Sequence, residues 1–298
     1  MKAYVFPGQG AQFSGMGQEL YENFPLAKQM FEQANDILGF RISDIMFHGT
    51  IEELKATAVT QPAVFIHSII SYMTAPNIAL PDMVAGHSLG EFSALVACRA
   101  LTFESALQLV AKRAEQMQIA CKNNPSTMVA IIKFDDTKTE QICREITDEI
   151  VVPANYNSPQ QLTISGSLKG IAIAIERLRA AGAKRIIPMN VGGAFHSPLM
   201  LSAQAELSKA IDTTTFSTPI CPIYQNISAM PTLDIDIIRE NLKQQLTHPV
   251  RWTQSVKNMI ADGATEFIEF GPGNVLQGLI RRINPDVNVQ SMQDIFYD

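Results

Sequence analysis

A serine between two glycines stands in the run VAGHSLGE, residues 84–91. Gly86 and Gly90 lie two residues before and two residues after Ser88, which is the G-x-S-x-G spacing of a nucleophile elbow. In such an elbow a strand turns sharply into a helix, and glycine is needed because the chain passes too close to itself for β-carbons. The helix that follows directs its free N–H groups at an oxyanion formed beside the serine. The spacing therefore predicts a nucleophilic serine.

The same residues allow a second interpretation. Ser88 and Glu91 have the spacing of a capping box, in which a serine and a glutamate three residues later satisfy the first N–H groups of a helix. Capping alone does not require a glycine on both sides of the serine. We therefore expect a nucleophile and keep the capping box as the alternative.

A serine nucleophile needs a general base at neutral pH. His196 follows a Gly-Gly turn and precedes Ser-Pro, so it lies on a constrained loop of the kind that carries catalytic groups at the ends of parallel strands. His67 lies on an apolar helix face, which is typical of a core histidine. The side chain of His87 should diverge from that of its neighbour Ser88. His48 and His248 have polar, turn-like surroundings and are expected at the surface or at helix caps.

Two further points bear on the chemistry: the carboxylate that could orient the histidine, and Arg113. A hydrolase would orient its histidine with a carboxylate, but no Asp or Glu between Ser88 and His196 is a clear third member. Arg113 lies about 80° from the centre of the apolar stripe of the helix predicted at 103–120. From that position on the rim of the buried face an arginine usually extends to water, so the residue pattern alone does not favour a functional role.

Composition excludes several classes of protein. The 298 residues are 46% hydrophobic and 17% charged, as in a globular protein with an ample core. A net charge of −6 provides no field for nucleic acid. We find no apolar run of the ~20 residues that a bilayer requires and no signal peptide, and we therefore expect a cytoplasmic protein without a membrane segment. The four cysteines lack a C-x-x-C spacing, which argues against a metal site.

The order of the predicted elements indicates two units. Strands alternate with helices outside residues 125–189, which predicts an α/β-hydrolase-like domain with a parallel central sheet, formed by residues 1–124 and 190–298. Its predicted elements include a strand at 220–224 and helices at 18–38, 199–211, 252–261 and 275–283. Residues 125–189 have the β-α-β-β-α-β order of a small ferredoxin-like subdomain, which we interpret as an insert. Its predicted elements are strands 128–134, 150–154, 162–165 and 185–188 and helices 137–147 and 168–181. A glycine-rich loop, PGQGAQ (7–12), follows the first strand and is suited to supply an oxyanion donor.

Six segments together resemble the malonyl-CoA:acyl carrier protein transacylases. They are GQGAQ (8–12), GHSLGE (86–91), NYNSP followed by Gln161 (155–161), GAFHSP (193–198), PVRW (249–252) and GPGNVL (271–276). They occur in the order of that family and cover nearly the whole chain. The inserted ferredoxin-like domain is also a trait of the family.

The resemblance implies a role for each matching position. Ser88 would carry the malonyl group as an ester, and His196 would act as general base and later as general acid. The backbone N–H groups of Gln9 and Leu89 would form the oxyanion hole. Arg113 would hold the malonyl carboxylate with a bidentate fork, a geometry that lysine lacks.

Three other positions follow from the same resemblance. Gln245 matches the glutamine whose backbone carbonyl orients the histidine, which would explain the missing carboxylate. Phe195 resembles the malonyl-selective members, whereas methylmalonyl enzymes tend to carry a small residue there. Ala114 departs from the family, because many members have glycine after the arginine.

The implied reaction is a ping-pong transfer of malonyl from malonyl-CoA to the phosphopantetheine thiol of a separate acyl carrier protein, for fatty acid synthesis. Both thioesters are substrates, and no cofactor, nucleic acid or membrane is expected. Lys184, Arg185, Arg281 and Arg282 are candidates for docking the carrier protein. The alternatives are a serine esterase or thioesterase, a polyketide-type acyltransferase that uses another acyl-CoA, and a non-catalytic module that docks carrier proteins.

Overall fold

A computed structural model describes residues 1–292 and 294 of the chain. Two separate β-sheets organise the fold, one with six strands and one with four, in the orders β10-β9-β1-β2-β7-β8 and β4-β5-β3-β6. The strands are β1 Lys2–Phe6, β2 Met83–Gly86, β3 Ser126–Ile132, β4 Val151–Ser158, β5 Gln161–Ser167, β6 Arg185–Pro188, β7 Ile223–Tyr224, β8 Pro231–Thr232, β9 Glu266–Glu269 and β10 Asn288–Ser291.

Helices connect most of these strands. They are α1 Gln18–Asn23, α2 Pro25–Leu38, α3 Ile42–His48, α4 Ile51–Lys55, α5 Thr57–Thr74, α6 Gly90–Ala97, α7 Phe103–Asn123, α8 Asp136–Arg144, α9 Leu168–Ala180, α10 Leu201–Thr213, α11 Ile235–Gln244, α12 Trp252–Ala261 and α13 Val275–Ile283, with 3-10 turns at Pro198–Met200 and Gln245–Thr247.

The six-stranded sheet is parallel except at β8, which pairs antiparallel with β7. Its central strand β1 is almost wholly apolar, and the residues from Ala3 to Phe6 are fully buried. A parallel strand covered on both faces needs this continuous apolar sequence. Apolar clusters on the two sides of the sheet form the core of the larger unit. The carboxyl ends of β1 and β2 lie next to each other, because Phe6 pairs with Gly86.

The four-stranded sheet is antiparallel and carries its own core with α8 and α9. Its strands and helices follow the β-α-β-β-α-β order expected of a ferredoxin-like unit. The chain enters and leaves it at neighbouring points, since the Ala194 N–H donates to Ser126 Oγ at 3.0 Å. The predicted fold class, a parallel-sheet α/β domain with a ferredoxin-like subdomain, is confirmed. The domain boundaries at 124/125 and 189/190 stay a prediction.

Several element boundaries differ from the sequence-based expectations. The helix expected over 18–38 is two helices, because the chain is extended at Phe24 and Pro25 begins α2. The strand expected at 220–224 is reduced to β7, and the helix expected at 199–211 begins with a 3-10 turn. Helices α3 and α4 and strands β8 and β10 were not expected. Among the described residues, we find no helix with the length and apolarity to span a bilayer.

Candidate active site

The turn between β2 and α6 is held by two close backbone approaches. A β-carbon on Gly86 would lie 1.9 Å from the carbonyl carbon of Gly90, and one on Gly90 would lie 2.0 Å from the carbonyl oxygen of Phe6. Neither position can accept a side chain without movement of the backbone. Ser88, between them, has a positive φ of 53°. A non-glycine residue is strained there and stays so only when its surroundings fix it.

The capping-box interpretation of this turn is wrong. Helix α6 has no side-chain cap, and Ser88 Oγ is directed elsewhere. The Glu91 carboxylate instead accepts from the Asn226 backbone N–H at 2.8 Å and from Gln225 Nε2 at 3.0 Å. Ser88 and Glu91 therefore do not cap the helix together. The glycines and contacts from other elements determine the shape of the elbow.

Ser88 and His196 meet in the folded chain. Ser88 Oγ lies 2.8 Å from His196 Nε2, and His196 Nδ1 lies 3.0 Å from the carbonyl oxygen of Gln245 and 3.1 Å from that of His248. Since carbonyl oxygens only accept, Nδ1 carries the proton and Nε2 is left as an acceptor. Ser88 Oγ then donates to Nε2, which is the arrangement of a nucleophile and its general base.

The loop that carries His196 is fixed on both sides. His196 has a positive φ of 57°, and the carbonyl of Phe195 accepts a hydrogen bond from Ser165 Oγ of β5 at 2.5 Å. Ser197 Oγ donates to the carbonyl of Ala194 at 2.6 Å. The ferredoxin-like unit thus contributes directly to the position of the histidine.

Arg113 is buried, which overturns the expectation that it extends to water. Its side chain leaves α7 toward Ser88, and it is 1% exposed. Nη1 donates to Gln61 Oε1 at 2.7 Å, and Nη2 donates to Ser88 Oγ at 3.0 Å and to Gln245 Oε1 at 3.0 Å. Nε is buried and has no hydrogen-bond partner within the described chain. Helical periodicity alone predicts that the guanidinium is hydrated. In the fold, polar groups from three other elements take the place of that water.

Gln245 contacts Ser88, His196 and Arg113. Its Oε1 accepts from Arg113, its Nε2 donates to the Ser88 carbonyl at 2.9 Å, and its own carbonyl accepts from His196 Nδ1. The residue begins the 3-10 turn after α11 and is 1% exposed. One residue, through its side chain and its backbone carbonyl, therefore couples the positions of Ser88, His196 and Arg113.

Burial and charge set the protonation of the site. Burial, with a contribution from the charge of Arg113, lowers the pKa of His196 to about 3. Burial also lowers the pKa of Arg113 to about 9, partly offset by the nearby Glu91 carboxylate. Near pH 7 the histidine is therefore neutral and can accept a proton, and the arginine remains a cation that attracts anions.

Ser88 and His196 line a cavity of about 80 Å³. Its lining includes Gln9 and Phe195, together with apolar side chains from α7 and β3 and from the loop before His196. The backbone N–H groups of Gln9 and Leu89 make no hydrogen bond to any residue that the structure describes. They are thus free to donate to an oxyanion. A larger cavity of about 740 Å³, between α2, α5 and α7, contains no histidine.

The other histidines follow the residue-based expectations. His67 is buried, with Nδ1 3.2 Å from Ser71 Oγ, and burial lowers its pKa to about 4. The His87 ring diverges from Ser88 and places Nε2 2.8 Å from Asn157 Oδ1. His48 and His248 are exposed, although the His248 carbonyl contacts His196.

Sequence reasoning missed Gln61 and Asn226 at this site. Gln61 lies in α5 and contacts Arg113, and Asn226 follows β7 and contacts the elbow. The available signal for Gln61 was a glutamine within a mainly apolar helical segment. For Asn226 the sequence offered none, because β7 is only two residues long.

No group of three or more His, Cys, Asp and Glu side chains in the described part of the chain is arranged to hold a metal ion. The four cysteines are free thiols, three of them buried. The arrangement at Ser88 instead brings together a hydroxyl group, an imidazole, two free N–H donors and a buried cation.

Comparison with known proteins fits this chemistry. Residues 3–293 match the acyl transferase domain family. The chain is 41% identical over 295 residues to the malonyl CoA-acyl carrier protein transacylase of Bacillus subtilis, a match that covers 98% of this chain and 93% of the relative. The chain belongs to this family of acyl transferases. The resemblance found in the sequence motifs is thereby confirmed.

Solved structures of acyl transferases share the whole fold. MCAT from Streptococcus pneumoniae superimposes with a TM-score of 0.93 at 37% identity, covering 98% of this chain and 95% of that one. A malonyl-transacylase solved in complex with its holo type II polyketide acyl-carrier protein has a TM-score of 0.90 at 35% identity, with 97% and 94% coverage. The two-sheet architecture is thus common to this chain and to these acyl transferases.

Proposed function

We propose that this protein is a malonyl-CoA:acyl carrier protein transacylase. The observation that carries the proposal is the buried Arg113, whose Nη2 lies 3.0 Å from the Oγ of Ser88. A cation buried beside a nucleophile is costly to maintain, and a substrate whose carboxylate is separated from its reacting carbonyl by a single methylene group makes use of it. Malonyl-CoA has that structure, and relatives of this chain are named for malonyl transfer.

In the first half-reaction, Ser88 Oγ attacks the thioester carbon of malonyl-CoA while its proton passes to His196 Nε2. The backbone N–H groups of Gln9 and Leu89 donate to the oxyanion of the tetrahedral intermediate. Collapse of the intermediate breaks the C–S bond, and the coenzyme A sulfur leaves as a thiol with the proton from His196. The product is a malonyl ester on Ser88.

In the second half-reaction, the phosphopantetheine thiol of an acyl carrier protein gives its proton to His196 Nε2, and its sulfur attacks the ester carbon. Collapse of this second intermediate returns the proton to Ser88 Oγ and releases malonyl-carrier protein. The related malonyl-transacylase solved with a holo acyl-carrier protein supports the identity of this partner.

Arg113 serves both half-reactions by holding the malonyl carboxylate. Its Nε–H has no partner in the described chain. The neighbouring Nη2–H that donates to Ser88 Oγ would turn to the carboxylate once Oγ is esterified, so that the two N–H groups make a bidentate contact. A fixed ester presents its carbonyl in one orientation to an incoming thiol, which favours transfer over unspecific attack by water. Phe195 restricts the adjoining space, which disfavours a 2-methyl substituent.

We assign no cofactor to the reaction, since malonyl-CoA and the carrier protein supply every group that is transferred. A role in fatty acid synthesis is part of the proposal. The polyketide-type alternative differs in the carrier protein or acyl group that is used, and the cytoplasmic location stays a prediction.

The proposal is tested by incubating the protein with malonyl-CoA, with and without holo acyl carrier protein. We expect malonyl-carrier protein when the carrier is present and only slow release of malonate when it is absent. Rapid release of free malonate in both reactions would instead identify a thioesterase. Failure to form any covalent adduct on Ser88 would identify a non-catalytic docking module.

A further inference from the structure

The side chain of Asn226 makes two hydrogen bonds across the elbow. Its Oδ1 accepts from the backbone N–H of Ser88 at 2.7 Å, and its Nδ2 donates to the carbonyl of Gly86 at 2.6 Å. Both backbone groups belong to the turn that carries the nucleophile. Asn226 itself is 2% exposed, so neither bond competes with bulk water.

These two bonds continue the parallel ladder between β2 and β7. The Val84 N–H donates to the carbonyl of Pro222, and successive bonds in a parallel pair advance by two residues on each strand. In that register the backbone of residue 226 would bond the Ser88 N–H and the Gly86 carbonyl. Because the chain turns into the elbow at this point, the side-chain amide of Asn226 supplies the donor and the acceptor in place of its own backbone.

The backbone of Asn226 is engaged elsewhere. Its N–H donates to Glu91 Oε2 at 2.8 Å, and its carbonyl accepts from the Arg251 N–H at 3.0 Å. Glu91 lies in the first turn of α6, so the same short segment after β7 is tied to both sides of the elbow. Gln225 Nε2 adds a bond to Glu91 Oε1 at 3.0 Å.

We propose that Asn226 is a positioning residue that holds Ser88 in its strained conformation and thereby sets the direction of Oγ toward His196. Glu91 anchors Asn226 by accepting its backbone N–H. The inference rests on the proposed role of Ser88 as the nucleophile. It concerns the backbone of the elbow and does not depend on which acyl group the enzyme transfers.

The test uses Asn226→Ala and Asn226→Leu, of which the second retains side-chain volume. Asn258→Ala is the matched control, because Asn258 Nδ2 also donates to a backbone carbonyl, that of Ala229 at 2.8 Å, and it has no contact with the elbow. The readouts are the rate at which a fluorophosphonate labels Ser88 and the midpoint of thermal unfolding. A serine-directed fluorophosphonate reads the nucleophile without requiring malonyl-CoA or carrier protein.

We expect both Asn226 variants to be labelled about 10²-fold more slowly than the wild type, since a displacement of about 1 Å in a reacting group has an effect of that order. The midpoint of thermal unfolding should fall in Asn258→Ala by about as much as in the Asn226 variants, but the labelling rate of Asn258→Ala should equal that of the wild type. In single-turnover acylation, the rate constant should fall while the dissociation constant for malonyl-CoA stays nearly unchanged.

Labelling of folded Asn226→Leu or Asn226→Ala within about threefold of the wild-type rate would overturn the inference. An equal loss of labelling in Asn258→Ala would also overturn it, because the effect would then follow general destabilisation. If malonyl-CoA left no adduct while fluorophosphonate labelling still depended on Asn226, the positioning role would stand and the proposed function would fail.

Discussion

Ser88 and His196 both adopt left-handed backbone conformations, with φ of 53° and 57°, and they meet through a 2.8 Å contact across 108 residues of sequence. Each such conformation costs about 1–3 kcal/mol in a non-glycine residue and persists only where neighbours fix it. The neighbours come from both structural units: Asn226 and Gln245 hold the backbone of Ser88, and Ser165 of the ferredoxin-like unit holds the carbonyl before His196.

The close packing of the elbow predicts intolerance of a methyl group at Gly90. In Gly90→Ala the new β-carbon would lie 2.0 Å from the Phe6 carbonyl oxygen, so β1 and the elbow must separate. We expect a loss of about 3 kcal/mol or more in the free energy of unfolding and loss of Ser88 labelling. Urea unfolding measures the first quantity.

Gly278→Ala is the control for this substitution. Gly278 lies in α13 with open space around its β-carbon position, and alanine in a helix is favoured by roughly 0.5–1 kcal/mol. This variant should be active and slightly more stable. Wild-type stability in Gly90→Ala would contradict the account of the elbow.

Removal of the buried cation should change selectivity. In Arg113→Ala, the loss of charge-assisted hydrogen bonds worth about 1.5–3 kcal/mol should lower kcat/KM for malonyl-CoA by roughly 10- to 150-fold. Acylation of Ser88 by a neutral acyl-CoA such as acetyl-CoA should persist. Lys112→Ala, on the same helix but only partly buried, serves as the control. Unchanged malonyl kinetics in Arg113→Ala would remove the carboxylate-binding role.

The low pKa of His196 predicts a pH profile. A histidine acts as a base only when neutral, and a pKa lowered to about 3 keeps it neutral well below its ordinary value. The rate of fluorophosphonate labelling should therefore fall only far below pH 6.5, as measured from the lowest pH at which the protein stays folded up to about pH 8. A wild-type rate that is half-maximal near pH 6.5 would contradict this assignment.

The charge of Arg113 contributes to that low pKa, after the larger effect of burial. Arg113→Ala should therefore raise the pKa of His196, and the acid limb of the labelling profile should move to higher pH. Because burial remains, the new midpoint should still lie below 6.5. An acid limb that does not move would show that the two side chains are not coupled electrostatically.

Phe195 should restrict the size of the acyl group. It is 6% exposed and lines the cavity beside Ser88 and His196. In Phe195→Ala the ratio of kcat/KM for methylmalonyl-CoA to kcat/KM for malonyl-CoA should rise by about tenfold or more. That is the change in specificity that one additional methyl group in a hydrophobic pocket typically produces. The exposed Phe40 provides a control, since Phe40→Ala should leave the ratio unchanged. An unaltered ratio in Phe195→Ala would remove Phe195 from selectivity.

Much of this architecture could be predicted from sequence because it depends on local patterns. The helices at Trp252–Ala261 and Val275–Ile283 and the strand at Arg185–Pro188 were predicted with the observed bounds. Apolar spacing and Gly or Pro boundaries are sufficient for such elements. Helices α3 and α4 were missed because each is too short for a periodic signal.

The environment of the site depends on tertiary contacts that no local pattern contains. Helical periodicity placed Arg113 at the rim of α7, but Gln61, Ser88 and Gln245 come from three other elements and enclose it. The family motifs indicated a role for Arg113, and its burial followed only from the fold. No sequence pattern indicated a role for Asn226. Its side chain takes the place of backbone hydrogen bonds between β2 and β7, and the register of those bonds follows only from the pairing of the strands.

The central claim is that Ser88 carries a malonyl ester, and intact-mass measurement after brief exposure to malonyl-CoA tests it most directly. We predict a mass increase of one malonyl group on Ser88 in the wild type, its removal on addition of holo acyl carrier protein, and no adduct in Ser88→Ala. An unmodified wild-type protein, or an adduct that persists in Ser88→Ala, would contradict the account.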